Sequence, residues 1–280
     1  LTHSLSPLPE STAPYRLCAI DLDDTLLNSA HRISDHNRDT IAAARAQGVL
    51  IVLASGRMFE TTTPFARQLD LDTPIICYNG AMVRNPSTRE TWLHEQVQAD
   101  LADTIRAYAC SHRLQLNYYL DDHLYTEADT SWMQLYRSRT GAPTEVLPDF
   151  CWVLSGTTPT KLIIVDSPQT TDALLPEFRH QFGDRLYITK SNNEYLEFLP
   201  PTADKGRALA LVAERFGIAQ SETIAIGDSW NDTPMVRWAG LGLAVANAKP
   251  ELKAVADRVI GSNDDDGVAG ALSEIFHLSV

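Results

Sequence analysis

One stretch near the start constrains this chain more than any other: the apolar run Leu17-Cys-Ala-Ile ends abruptly in Asp21-Leu-Asp23-Asp24-Thr25. Residues 17–20 have the length and flanks of a buried strand. Three acids at its end cannot be packed unaided, because like charges in a low-dielectric setting repel. Each is costly to bury unless it is paired, protonated or bound to a cation. A hard divalent cation with oxygen ligands removes the conflict, and Mg2+ is the metal usually held by one or two carboxylates plus phosphate oxygens. Asp21 and Asp23 lie two apart, so extended geometry sends both to one side while Leu22 turns back to the core. One carboxylate can then be an ionised nucleophile while its neighbour keeps a proton as general acid. Taken alone, the stretch also reads as a strand followed by an Asp/Thr-rich turn that caps a helix. Partners elsewhere in the chain decide between the two.

Those partners come from the ends of other apolar runs. Ser34 is placed to cap a helix that stops at Gly48, and Val49 to Ala54 is the continuous apolar run of a parallel strand covered on both faces. It ends in Ser55-Gly56-Arg57. A helix around Pro64 to Leu69 and a third apolar strand, Pro74 to Tyr78, lead to Asn79-Gly80-Ala81. Three strand-helix units of this kind describe half of an open doubly wound sheet. From about Val83 the strands alternate and become aromatic, with Pro/Thr-rich turns, which predicts a separate α+β unit. The parallel pattern returns after Pro200-Pro201. A helix from Asp204 to Phe216 is followed by a strand, Thr223 to Ile226, that ends in Gly227-Asp228-Ser-Trp-Asn231-Asp232. The expected organisation is a core built from residues 15–82 and 201–280, an inserted cap over 83–200, and a disordered extension over 1–14.

Composition narrows the function classes. The 280 residues are 44% hydrophobic, an ordinary globular share, and carry 36 acidic against 23 basic side chains. That net charge of −13 is unfavourable for nucleic-acid or anionic-membrane binding, so neither is expected as a partner. No apolar run approaches the roughly 18 to 20 residues that span a bilayer. The start is Ser-, Thr- and Pro-rich and lacks the pattern of a signal peptide. Cys18, Cys77, Cys110 and Cys151 show no metal-like spacing and read as reduced structural thiols of a cytoplasmic protein.

Asp21 and Asp23, Ser55 with Gly56, Lys205, and Asp228 with Asp232 thus stand at or beside the carboxyl ends of expected parallel strands, where open α/β sheets bind ligands. Ser55 offers a hydroxyl backed by the free N–H groups of a Gly-containing turn. Lys205 lies in the first turn of a helix, where the dipole disfavours a cation, and a bound phosphate would satisfy both. Asp228 and Asp232 add carboxylates to a site that already holds two, which makes sense only around a cation. Each piece alone has a plain structural reading as a turn, a surface lysine or a helix cap. Their order and shared position argue for one site.

The motifs together resemble those of the haloacid dehalogenase-like phosphohydrolases, in particular the Cof-type subfamily with a large cap inserted in mid-chain. Asp21-Leu-Asp23-Asp24-Thr25, Ser55-Gly-Arg57, Lys205-Gly206 and Gly227-Asp228-Ser-Trp-Asn231-Asp232 are similar to the family's four motifs. The resemblance implies that Asp21 attacks phosphorus and forms an aspartyl phosphate, and that Asp23 serves as acid and then base. It further implies that Ser55, Lys205 and Asn231 hold phosphoryl oxygens. Asp21, Asp228 and the backbone carbonyl of Asp23 would ligate Mg2+, with Asp232 orienting Lys205 or a metal-bound water. Asp24 departs from the family's usual Gly and has to accept a left-handed backbone.

The expected activity is a Mg2+-dependent phosphatase of small phosphomonoesters such as sugar phosphates, with a phosphomutase or a silent phospho-ligand-binding protein as alternatives. The expected partner is a small phosphorylated metabolite, and the assembly a monomer or small homo-oligomer. Discrimination among substrates is expected from the cap, through Asn117, Tyr119, Asp122, His123, Asn192 and Asn193.

Overall fold

The computed structural model describes residues 14–279, so the extension expected over 1–14 falls almost wholly outside the described residues. The chain begins with strand β1 (Leu17–Ile20), helix α1 (Asp35–Ala46), β2 (Leu50–Leu53), α2 (Phe59–Gln68) and β3 (Ile75–Cys77). Ser34 caps α1 by accepting the N–H of Asn37 at 3.0 Å, as the sequence predicts. A short ribbon follows, β4 (Met82–Arg84) and β5 (Thr91–His94).

The next segment comprises α3 (Ala99–His112), β6 (Gln115–Leu120), β7 (His123–Thr126), α4 (Ser131–Thr140), β8 (Thr144–Val146) and α5 (Phe150–Val153). It continues through β9 (Lys161–Val165), α6 (Pro168–Phe182), β10 (Tyr187–Asn192) and β11 (Tyr195–Leu199). The chain then runs through α7 (Lys205–Arg215), β12 (Thr223–Gly227), α8 (Thr233–Trp238), β13 (Leu241–Ala244), α9 (Pro250–Lys253), β14 (Arg258–Val259) and α10 (Gly267–Phe276).

The doubly wound sheet has the order β14-β13-β12-β1-β2 with every pairing parallel. Its strands are buried along their whole length in β1, β2 and β12, as continuous apolar runs require when helices cover both faces. The sequence reading places β3 as a third parallel strand. In the structure one parallel bridge, Ala54 to Ile76, ties it to the edge beyond β2, and it otherwise pairs antiparallel with β4, which pairs with β5. Position 82 therefore lies at the start of a strand hydrogen-bonded to the core side. A buried strand of three residues carries no periodicity that would reveal its partner.

The second large sheet, of order β10-β11-β9-β6-β7-β8, is antiparallel except for the β7–β8 pair. One of its faces packs Leu116, Tyr118, Leu162, Ile164, Leu196 and Phe198 against α3, α5 and α6. The other sends Tyr119, Ile163, Val165, Tyr195 and Leu199 into the cluster that contains the parallel sheet.

The cysteines correct one expectation. Cys18 and Cys77 are buried thiols whose pKa burial pushes far up, but Cys110 and Cys151 form a disulfide between α3 and α5. Residues 41 apart give no spacing signal, and only packing of the two helices brings them together. Closing a loop of that length restricts the unfolded chain by about 2–4 kcal/mol. Replacing both cysteines by Ser is therefore expected to lower unfolding free energy by that amount in oxidising buffer and to have little effect in dithiothreitol. Denaturant melts in the two buffers check this.

Candidate active site

Adjacent strands bring the first acids together. β1 pairs with β12 through Ile20 and Ile226, and the N–H of Asp21 continues the ladder to the carbonyl of Ile226 at 3.0 Å. Asp21 and Asp228 therefore emerge side by side. On the other flank β2 delivers Ser55, whose N–H donates to Ile76 O. Past Asp21 the backbone turns sharply, with Asp24 at φ 59°, ψ 10°. This is the left-handed conformation that Asp tolerates better than most residues, and it accounts for the short polar side chain there.

Lys205 is the centre of the site. It is fully buried at the first position of α7, and its Nζ donates to Asp21 Oδ1 and to Asp232 Oδ1, each at 2.6 Å. Burial alone would depress the ammonium, but the two carboxylates outweigh it and hold it charged. Asp232 is fully buried too, and its second oxygen accepts the N–H groups of Asp228 and Ser229 at 3.0 Å each. Gly227 leaves room for this arrangement, since a Cβ there would lie 2.5 Å from the Cβ of Asp232.

Oxygens of Asp21, Asp228 and Asp232 lie within 4.8 Å of one another. Both oxygens of Asp232 are already engaged, so a metal would draw on Asp21 and on Asp228, whose Oδ1 accepts only a long 3.4 Å hydrogen bond from Thr25. Burial first, then the charge of Asp232, pushes the Asp21 pKa up; burial, then Asp21, pushes Asp228 up. A buried and a partly buried carboxylate, both with raised proton affinity and offering only oxygen donors, fit a hard cation such as Mg2+.

The remaining core residues form a braced cradle. Ser55 is buried, and its Oγ accepts the N–H of Arg57 at 3.1 Å. Asn79, another left-handed residue at φ 55°, donates its N–H to Ser55 O and accepts from Asn231 Nδ2 at 3.0 Å. Asn79 thus links Ser55 to Asn231. A cavity of about 340 Å³ opens beside Asn79 and Asn231, lined also by Tyr187, Asp204 and Arg207. Asp23 is half-exposed and gripped by Arg57 through Nε at 2.8 Å and a terminal nitrogen at 2.5 Å. The bidentate fork fixes the orientation of that acid. The motif Ser55-Gly-Arg57 contained the arginine, but nothing in the sequence pairs it with Asp23.

The cap residues singled out from sequence go to different places. Asn117 is fully buried on the core-facing side of its sheet, and Tyr119 is buried with its hydroxyl against that of Tyr136 at 2.5 Å. Asp122 is 4% exposed and caps a core helix: its carboxylate accepts the N–H groups of Phe59 and Glu60 at 3.0 and 3.1 Å and the Tyr78 hydroxyl at 2.7 Å. This explains why α2 begins before the region predicted around Pro64. The helix has no side-chain cap of its own and receives one from 63 residues away. His123 is exposed and lines a cavity of about 390 Å³ with Arg84 and Arg89, whose lining includes none of Asp21, Ser55, Lys205 or Asp228. Asn192 and Asn193 are exposed where β10 turns into β11, and Asn193 donates to its neighbour's side chain.

Comparison with known proteins finds matches over nearly the whole chain. A model of the haloacid dehalogenase-like hydrolase family matches residues 18–272. The chain is 32% identical to the 5-amino-6-(5-phospho-D-ribitylamino)uracil phosphatase YwtE of Bacillus subtilis, over 92% of this chain and 97% of that protein. Among solved structures it is similar to a haloacid dehalogenase-like hydrolase from Bacteroides thetaiotaomicron, with TM-score 0.86, 29% identity and coverage of 93% and 99% of the two chains. A Thermotoga maritima protein gives TM-score 0.84, 32% identity and coverage of 95% and 98%.

The buried ammonium generates a stability prediction. Lys205→Met leaves Asp21 and Asp232 facing each other without compensation, and is expected to lower unfolding free energy by about 3–5 kcal/mol at neutral pH. A urea titration of the metal-free variant against wild type measures the loss.

Proposed function

The chain belongs to the haloacid dehalogenase-like hydrolases, and from that premise we propose that it is a Mg2+-dependent phosphatase of small phosphomonoesters such as sugar phosphates. One observation carries the proposal. A single buried ammonium bridges the two acids Asp21 and Asp232 at the strand ends where Ser55 and Asp228 also converge. The Bacillus subtilis relative, by its name, is a phosphatase of a small phosphorylated metabolite, which accords with this substrate class.

In the proposed reaction Asp21 is the nucleophile. Lys205 holds one of its oxygens at 2.6 Å, which fixes the side chain and leaves the other oxygen to attack phosphorus, forming an aspartyl phosphate. Ser55, Asn231 and the N–H groups around Gly56 are placed to bind the phosphoryl oxygens, and Lys205 balances their charge. Asp23 gives a proton to the departing alcohol and then takes one from the water that hydrolyses the acyl phosphate, with Arg57 setting its orientation. Asp21, Asp228 and the carbonyl of Asp23 would hold Mg2+, which when bound neutralises the clustered carboxylates and draws charge from the phosphoryl group. Asp232 keeps Lys205 in place through its buried hydrogen bond.

Two measurements test the reading. Asp21→Asn should remain folded and lose phosphate release from a generic phosphomonoester by at least about a thousand-fold, because an amide is a poor nucleophile. Unchanged turnover in the folded variant would sink the mechanism, and return of the phosphoryl group to a second hydroxyl of the substrate, without free phosphate, would mark a mutase instead. Chelation should abolish wild-type turnover, and adding Mg2+ back should raise the melting temperature as well as the rate, since the ion binds only the native carboxylate cluster. A melting temperature that ignores Mg2+ would count against the assigned ligands.

A further inference from the structure

The core-facing side of the cap sheet holds more polar chemistry than packing requires. Among its apolar residues sit Asn117, Lys161 and Glu197, which are 0%, 3% and 3% exposed. Strand register groups them. Asn117 and Glu197 stand on opposite sides of Ile163 in one row across β6, β9 and β11, and Lys161 lies two residues before Ile163 on the same face.

Their hydrogen bonds are incomplete. Lys161 Nζ donates to the carbonyl of Gly56 at 3.0 Å and lies 3.5 Å from Glu197 Oε2. The other oxygen of Glu197 accepts the Ser191 hydroxyl, and Asn117 Oδ1 accepts from Gln115 at 3.0 Å. Glu197 Oε2 and Asn117 Nδ2 have no hydrogen-bond partner among the described residues. Buried donors and acceptors are nearly always satisfied in native proteins, and an ion pair in the interior is weak evidence for a stabilising role. A stabilising pair would also leave the amide of Asn117 unexplained.

We propose that Lys161, Glu197 and Asn117 form the subsite for the alcohol part of the substrate, and that this alcohol is a polyol rather than an aryl or alkyl group. The proposal rests on the phosphatase reading and names the leaving group. A hydroxyl both donates and accepts, so one can give its proton to Glu197 Oε2 while others receive from Asn117 and from the unused protons of Lys161. Asn117 and Glu197 sit two strands apart, roughly 9–10 Å, so satisfying both takes several hydroxyls along a chain or ring. The contact with Gly56, between Ser55 and Arg57, sets this group beside the phosphate cradle. An apolar leaving group would leave Glu197 Oε2 and Asn117 Nδ2 without a hydrogen-bond partner, and a site built to hydrogen-bond hydroxyls rejects analogues that lack them. Neither Lys161 nor Glu197 stands out in a scan for motifs. Their signal is a charge at an inward position of an otherwise apolar strand, as in Tyr195-Leu-Glu197-Phe-Leu.

The test compares kcat/KM for glucitol phosphate and phenyl phosphate with Mg2+ present. Wild type is expected to favour the polyol ester, and Glu197→Gln to lower the ratio of the two values by about ten-fold or more, chiefly through KM for the polyol. Asn117→Leu should shift the ratio the same way, and it decides the matter if Glu197→Gln does not fold. An unchanged ratio, with both esters slowed alike or neither affected, overturns the subsite. If wild type releases phosphate from neither ester, the phosphatase reading fails, and calorimetric binding to Asp21→Asn decides the subsite by itself. Tighter binding of glucitol phosphate than phenyl phosphate, lost on adding Glu197→Gln, supports it, and equal binding of the two esters overturns it.

Discussion

The structure depends on one buried ammonium. Lys205 sits where the dipole of α7 disfavours a cation, with no exposure to water, and is held there by Asp21 and Asp232. Those acids come from opposite ends of the chain order, 184 residues and 27 residues away. Neither acid could be buried without the lysine, nor the lysine without both acids, so the triad joins the two halves of the parallel sheet at its ligand-binding edge. The net charge of the cluster around it, once Asp228 is counted, remains negative. Burial first, and then that surplus, raises the proton affinities of Asp21 and Asp228, and the surplus is the physical reason a cation belongs beside them.

The cap meets this centre through polar joints as well as apolar packing. Asp122 lends a carboxylate to the N-terminus of α2, and Lys161 reaches the carbonyl of Gly56. Both joints land on the segment that carries Ser55, Gly56 and Arg57, and Arg57 in turn grips Asp23. The position of the cap is therefore coupled to the groups proposed to hold phosphate and to move the proton. A residue such as Asp122, chosen from sequence as a reader of substrate, is engaged in holding the cap to the core. The two roles use the same chemistry, a short acid in a turn, and sequence offers no means of telling them apart.

The core acids were legible because parallel strands covered on both faces must be apolar throughout, so the first polar residue after each run marks the sheet edge where ligands bind. Asp21, Ser55 and Asp228 all follow from that rule. The cap lacks such a rule: its strands alternate, and an inward polar residue looks like an outward one shifted by a single position. Asn192 and Asn193 belong to an exposed turn, while Glu197, two residues beyond a tyrosine on the same strand, is buried. The disulfide was hidden for a related reason, since Cys110 and Cys151 are joined by the packing of α3 on α5 and by no local spacing.

The sequence by itself determined the class of fold, the insertion of one unit into another, and the identities of the acids, the lysine and the hydroxyl at the core edge. These follow from local patterns of apolar runs and their abrupt polar ends, and a family resemblance rests on the same residues. Tertiary structure alone decided which charges meet: Lys205 with Asp21 and Asp232, Arg57 with Asp23, Asp122 with α2, and Lys161 with Glu197. Pairing of that kind depends on how strands far apart in the chain are brought into register, and on which side chains lose their water when the cap packs on the core. Periodicity reports which face of an element a residue occupies. It cannot report what that face will touch.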